Sequence, residues 1–179
     1  EGMQKQAERF GARIQFGSVE SVEFTPDRLS VVVDGSPAET RTVIIASGAG
    51  HRRLGLASES KLEKRGVTYC ATCDGALPVF RNQPVVVVGG GDSACEEALY
   101  LTRFASVVYL VHRRDQLRAS RIMVDRVLAH GKIKPVWDSV VADILDVAQD
   151  KVTGVQLKHV KTGATTDLAC SGVFIAVGH

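Results

Sequence analysis

Cys70 and Cys73 are separated by two residues, and Asp74 follows directly in the stretch Tyr69-Cys70-Ala71-Thr72-Cys73-Asp74-Gly75. Two thiols at that spacing close a small ring without dragging distant backbone together, and such pairs often carry a lowered thiol pKa and enter thiol–disulfide exchange. The same spacing also serves as half of a zinc site. Structural zinc, however, takes four Cys or His ligands, usually as two close pairs. The other cysteines, Cys95 and Cys170, stand alone, and no histidine pair has ligand spacing. The pair therefore reads as redox chemistry, with no metal site, and Cys95 and Cys170 read as small buried residues.

A second constellation could hold a ligand. Val85-Val86-Val87-Val88 runs into Gly89-Gly90-Gly91-Asp92-Ser93-Ala94. Four valines predict a buried parallel strand. Gly89 permits a tight turn, Gly91 lets backbone approach a pyrophosphate, and the small Ala94 lets the following helix lie close to the strand. The amides and dipole at the start of that helix favour phosphate. A further strand, 107–111, ends at His112-Arg113-Arg114-Asp115, with Arg118 and Arg121 expected one and two helical turns on. A carboxylate at this position favours NAD, whereas arginine suits a 2′-phosphate, so the pattern favours NADP. Asp115 is expected to pair with the neighbouring arginines. Another glycine run, Ser47-Gly48-Ala49-Gly50, is followed by the bulky Arg53 where close packing needs a small residue, and reads as a strand end and loop.

These residues need elements to position them. Met3, Ala7 and Phe10 predict an amphipathic helix over 2–10. Short β-branched runs at 12–16, 19–24, 29–33 and 41–46, punctuated by Thr25-Pro26-Asp27 and Asp34-Gly35-Ser36-Pro37, predict an antiparallel meander ending in a buried strand, Val43-Ile44-Ile45-Ala46. The polar stretch 55–66 reads as a linker or hinge. After the glycine turn, a helix over 93–104 carries Ala94, Ala98, Leu101 and Ala105 on one face, and a helix packing through Ile122, Val124, Val127 and Leu128 ends at Gly131. A strand at 133–137, a meander over 140–169 and a closing apolar strand, 172–178, complete an α/β reading: a Rossmann-like doubly wound parallel sheet with an antiparallel β-meander.

The 179 residues, 45% of them hydrophobic, suit a globular chain of one or two domains. With 22 basic and 20 acidic residues the net charge is +2, which supplies no general drive toward nucleic acid or membrane. No run approaches the roughly 18 apolar residues of a membrane span, and no signal peptide is evident, so an intracellular, cytoplasmic setting is expected. Lone His130 and His159 read as ordinary surface or core residues.

Cys70-Ala71-Thr72-Cys73-Asp74-Gly75, the glycine turn and His112-Arg113-Arg114-Asp115 with Arg118-Ala119-Ser120 together resemble the low-molecular-weight NADPH-dependent thioredoxin reductases of bacteria and plants. The resemblance covers nearly the whole chain. It implies that residues 1–48 are a middle segment of a FAD-binding domain and residues 49–179 an inserted NADPH-binding domain carrying the redox pair. Cys70 and Cys73 would be the disulfide that takes electrons from flavin and passes them to thioredoxin, with Asp74 as proton donor and acceptor. Gly89, Gly90, Gly91, Asp92, Ser93 and Ala94 would hold the pyrophosphate. His112, Arg113, Arg114 and Arg118 would hold the 2′-phosphate, and Ile175 and Gly178 would border the nucleotide. The family implies a homodimer, and a plastid or mitochondrion as a further compartment in a eukaryotic cell. Its flavin fingerprint would precede Glu1 and its closing flavin segment would follow His179. The chain alone is therefore expected neither to hold FAD nor to turn over. Two other readings stay open: an NADP-binding redox-sensing module without turnover, and a zinc-stabilised domain.

Overall fold

A computed structural model describes every residue except Glu1, Ala49 and His179. The chain forms two compact units, Glu1–Gly48 and Ala49–His179.

The first unit opens with α1 (Gly2–Arg9) and continues as an antiparallel sheet of β1 (Val19–Phe24), β2 (Leu29–Val33) and β3 (Ser36–Thr40). The second hairpin turns on two residues, Asp34 and Gly35, both at positive φ. That economy lets Ser36 and Pro37, expected within the turn, begin β3 instead. Pro37 is tolerated because β3 is an edge strand, where a missing N–H costs no ladder bond. Two expected strands do not form: residues 12–16 and 41–46 carry no strand, and Ile44 and Ile45 are 91% and 73% exposed. An all-apolar run becomes a strand when neighbours cover its backbone and both faces. No described strand pairs with it.

The second unit is built on a five-stranded sheet, in spatial order β4 (Val67–Thr68), β11 (Gly172–Ala176), β5 (Pro84–Gly89), β6 (Val107–Val111) and β7 (Ile133–Val136), with every pairing parallel. Its two faces explain the valine run. Val85 and Val87, with Val108, Leu110 and Phe174, pack against α4 (Asp92–Leu101) and α5 (Arg121–Ala129). Val86 and Val88, with Val111, Val173 and Ile175, pack against the meander of β8 (Ser139–Leu145), β9 (Gly154–His159) and β10 (Thr165–Ala169). Side chains alternate across a strand, so a strand covered on both faces is apolar throughout. The expected small face of α4 is buried completely: Ala94, Ala98, Leu101 and Ala105 are all 0% exposed.

Three local expectations are corrected. Residues 55–66 are not a bare linker, because they contain α2 (Ala57–Leu62), whose Ser58, Glu59 and Leu62 are buried. Its polarity is misleading because the buried polar groups are hydrogen-bonded: Ser58 Oγ donates to Asp143 Oδ1 at 2.6 Å, tying the helix to β8. In α5 the register is rotated, so Met123 and Val127 face the core while Ile122 and Leu128 are 74% and 54% exposed. Arg118 does not lie on a helix, since α5 begins at Arg121.

Candidate functional site

In a parallel sheet all strands end on one edge, and the segments with candidate chemistry leave β4, β11, β5 and β6 at that edge. β5 is the point where the chain order reverses: β6 and β7 lie on one side, β11 on the other. Ligands of open α/β sheets bind outside the carboxyl ends of the strands at such a reversal.

Cys70 follows β4 and precedes the four-residue α3 (Ala71–Asp74). Cys70 and Cys73 form a disulfide, with their Cα atoms 5.3 Å apart. Cys70 is half-buried and Cys73 exposed. The Cys73 N–H donates to Cys70 Sγ at 3.2 Å, so the first sulfur also caps the turn. Thr68 Oγ1 donates to Asp74 Oδ2 and accepts from the Cys70 N–H. The turn is docked on α4: a Cβ on Gly75 would lie 2.8 Å from Leu101 Cδ2, and Ala71 shares the core with Ala94 and Ala98. The disulfide and the glycine turn are thereby anchored to the same helix.

Behind the disulfide lies a polar cluster that sequence reasoning missed. Glu59 is 0% exposed; its carboxylate accepts from the Tyr69 hydroxyl at 2.8 Å and from the Gly55 N–H at 2.9 Å. The Tyr69 ring stacks on His51 at 5.3 Å, and the Arg53 guanidinium lies 5.3 Å from its centroid. Burial, and then the hydrogen bond to Glu59, push the Tyr69 phenol far above its usual range. The residue before Cys70 is thus immobilised, which is what a buried carboxylate with several donors can do. Only the third-position Glu of a short helix signalled this, and that pattern is common.

The glycine turn is close-packed on one side and open on the other. Gly89 has φ +156°, and a Cβ there would lie 2.4 Å from the Ala176 carbonyl oxygen and 2.7 Å from Ala94 Cβ. At Gly90 a Cβ would fall 2.2 Å from His112 Nδ1. At Gly91, the N-cap of α4, it would meet nothing within 4 Å. That open side, beside the first amides of α4 and the positive end of its dipole, fits a phosphate group.

The segment after β6 is fastened over this turn by two tethers. The Arg118 N–H donates to the Gly90 carbonyl at 2.6 Å, and the Ser120 amide and hydroxyl donate to Asp92 Oδ1 at 2.9 and 2.7 Å. Those bonds hold the Asp92 carboxyl below its usual range. Arg113, Arg114 and Arg118 are exposed, and none has a carboxylate partner among the described residues. Asp115, expected to pair with them, instead lies 3.8 Å from Lys161, which Asp138 also holds at 2.8 Å. This leaves the guanidiniums available to an anion. His112 is 7% exposed, beneath Gly90, with no hydrogen bond to Nε2 among the described residues. Burial, and secondarily the charges of Arg114 and Arg113, lower its pKa and so favour the neutral ring. Ser93 is exposed at the start of α4. Ile175 is 3% exposed and paired with Val88, so it borders the turn through backbone, and the Gly178 carbonyl accepts from the Arg52 N–H at 3.0 Å.

Among the described residues no cluster of His, Cys, Asp and Glu could hold a metal, and no helix is long and apolar enough to cross a membrane. Cys95 and Cys170 are buried thiols; burial raises their pKa values to about 11 and about 12, as for inert packing residues.

The family described as pyridine nucleotide-disulphide oxidoreductase matches residues 2–179. A thioredoxin reductase of Streptomyces clavuligerus is 50% identical over 181 residues, covering 100% of this chain and 55% of that protein. Among solved structures, the thioredoxin reductase of Streptococcus pyogenes MGAS5005 superposes with a TM-score of 0.78 at 48% identity, over 99% of this chain and 57% of that one. The thioredoxin reductase from Giardia duodenalis gives 0.85 at 39% identity, over the same shares of 99% and 57%. The chain therefore spans little more than half the length of these relatives. With a disulfide and a glycine turn along one sheet edge and the family match running from residue 2 to 179, this chain belongs to the pyridine nucleotide-disulphide oxidoreductases.

Proposed function

We propose that this chain is the NADPH-binding and redox-disulfide portion of a thioredoxin-disulfide reductase. Residues 49–179 are the nucleotide and disulfide domain, and residues 1–48 are a middle segment of the FAD domain. The observation that carries the reading is the Cys70–Cys73 disulfide docked on the helix that leaves the glycine turn. Backbone at Gly91, Asp92 and Ser93 holds the pyrophosphate of NADPH, and Arg113, Arg114 and Arg118 hold its 2′-phosphate. Gly89, Gly90, Ala94 and His112 shape the turn from below, and Ile175 and Gly178 wall it from β11. A nicotinamide delivers hydride whereas a disulfide exchanges with thiolates, so FAD in the longer protein supplies the carrier between them. No second strand–glycine–helix turn is present among the described residues to cradle that flavin.

Two electrons and two protons convert the Cys70–Cys73 disulfide to a dithiol. One of the resulting thiolates attacks the disulfide of oxidised thioredoxin and forms a mixed disulfide. The other displaces the thioredoxin thiolate, so the Cys70–Cys73 bond re-forms and thioredoxin leaves with two thiols. Asp74, on the same turn, receives and returns the proton. The longer protein acts as a homodimer in the cytoplasm, or in a plastid or mitochondrion of a eukaryotic cell.

The thioredoxin half can be tested without flavin. The chain is reduced chemically, freed of reductant and mixed with oxidised thioredoxin. One thioredoxin should be reduced per chain, and a Cys73→Ser variant should reduce none. Titratable Cys70 and Cys73 thiols that leave thioredoxin oxidised would refute the assignment, and NADPH binding in that case would favour the sensing module.

A further inference from the structure

We propose that Thr68 is a positioning residue for the redox turn, orienting the Asp74 carboxylate and the Cys70 backbone through one shared hydroxyl. The inference rests on reading Asp74 as the proton partner of the disulfide. Thr68 is the last residue of β4, is 8% exposed and pairs with Phe174 of β11, so its backbone is fixed by the central sheet. Its Oγ1 donates to Asp74 Oδ2, six residues on, and accepts from the Cys70 N–H at 3.3 Å. A hydroxyl has one proton to give. With the Cys70 amide occupying a lone pair, that proton is directed at the carboxylate. A β-branched side chain on a strand is also stiff about χ1, so the hydroxyl is held where the turn needs it. The two ends of the redox turn, the Cys70 amide and the Asp74 carboxylate, are therefore registered to the sheet by a single atom.

Asp74 has few other restraints. Its backbone N–H donates to the Cys70 carbonyl at 3.2 Å, but the Thr68 bond is its one side-chain hydrogen bond among those described. Without the hydroxyl the carboxylate loses that restraint and is free to rotate. A residue that merely completed the strand would affect stability but leave the Asp74 contribution intact.

The experiment is a double-mutant cycle on the chain as it stands, reading the rate at which dithiothreitol reduces the Cys70–Cys73 disulfide. In this exchange dithiothreitol is oxidised to its cyclic disulfide and the chain gains two thiols. Asp74→Asn should slow it. Thr68→Val, which keeps the branched shape and removes the donor, should slow it about tenfold, and Thr68→Ser should restore most of the rate. In an Asp74→Asn background, Thr68→Val should have little further effect, because the two residues act through one bond. Effects that multiply, or a Thr68→Val chain as fast as the parent, would overturn the proposal. If Asp74→Asn itself leaves the rate unchanged, the proton role of Asp74 falls instead. Should the valine variant fail to fold, Thr68→Ala carries the same comparison. Independently, Asp74→Asn should shift the Cys70 amide resonance through the shared hydroxyl, and an unmoved resonance would also count against it.

Discussion

Gly91→Ala separates nucleotide binding from folding, because Gly91 is the one residue of the three-glycine run whose missing side chain faces open space. Its φ of −92° and ψ of −176° are ordinary extended backbone, and an added Cβ would touch nothing within 4 Å. Replacing glycine at a compatible site stabilises by roughly 0.4–1 kcal/mol through the unfolded chain. Alanine is a poorer helix cap than glycine by a similar amount, about 0.5–1 kcal/mol. The two nearly cancel, so the melting temperature should move by less than about 4 °C, the shift expected for roughly 1 kcal/mol in a chain of this size. Binding should behave differently. The methyl group occupies the space through which a pyrophosphate approaches the α4 amides, and losing one charge-assisted hydrogen bond costs roughly 1.5–3 kcal/mol. The dissociation constant for NADPH should therefore rise about tenfold to a hundredfold. Thermal unfolding and a fluorescence titration with NADPH on the same sample measure both quantities. Unchanged affinity in a normally folded Gly91→Ala chain would refute the phosphate cradle. Gly89→Ala and Gly90→Ala cannot make this distinction, since their Cβ atoms would sit 2.4 Å from the Ala176 carbonyl and 2.2 Å from His112 and would disturb the turn itself.

The unpaired arginines predict a preference for NADPH over NADH of at least about tenfold, eroded when Arg113 and Arg114 are both changed to Ala; equal affinities of the parent chain, measured by titration, would remove their role. After mild reduction, a thiol reagent should modify Cys70 and Cys73 rapidly in the native chain, while Cys95 and Cys170 react only on unfolding; four equally fast thiols would contradict the packing. The buried thiols also set an alkaline limit. Their folded pKa values, about 11 and about 12, lie above the ordinary value of 9.0, so the neutral form is favoured in the fold. Their contribution is complete below pH 9 and is lost as pH rises through 11 to 12. Urea unfolding followed across that range should show stability falling, and falling less steeply in Cys170→Val.

The parts of the site that were legible before the fold are those whose chemistry is local. Strand and helix flanking the glycines, the two-residue spacing of the thiols and the small residues of α4 each state their geometry within a few positions, and the relatives agree on the family. Misread segments were those whose structure depends on distant partners. Val43–Ala46 has the composition of a buried strand but no described strand to pair with, and its Ile44, Ile45 and Ala46 are exposed. Residues 55–66 look solvated because their polar groups find partners elsewhere in the fold: Glu59 with Tyr69, and Ser58 with Asp143.

By itself, the amino-acid sequence determined that this chain carries an exchangeable thiol pair beside a carboxylate, and a glycine turn suited to phosphate with arginines after the next strand. Each follows from covalent spacing and backbone sterics, which need no tertiary context. Only the folded chain decided how they meet. β11, more than eighty residues beyond β5, inserts between β4 and β5, and so sets the redox turn two strand spacings, roughly 10 Å, from the glycine turn along one sheet edge. It also decided that His112 is buried while Arg113 and Arg114 are not, that Asp115 turns to Lys161, and that Thr68 reaches Asp74. Long-range pairing and burial set charge, exposure and hydrogen-bond partners, and no local pattern of residues encodes them.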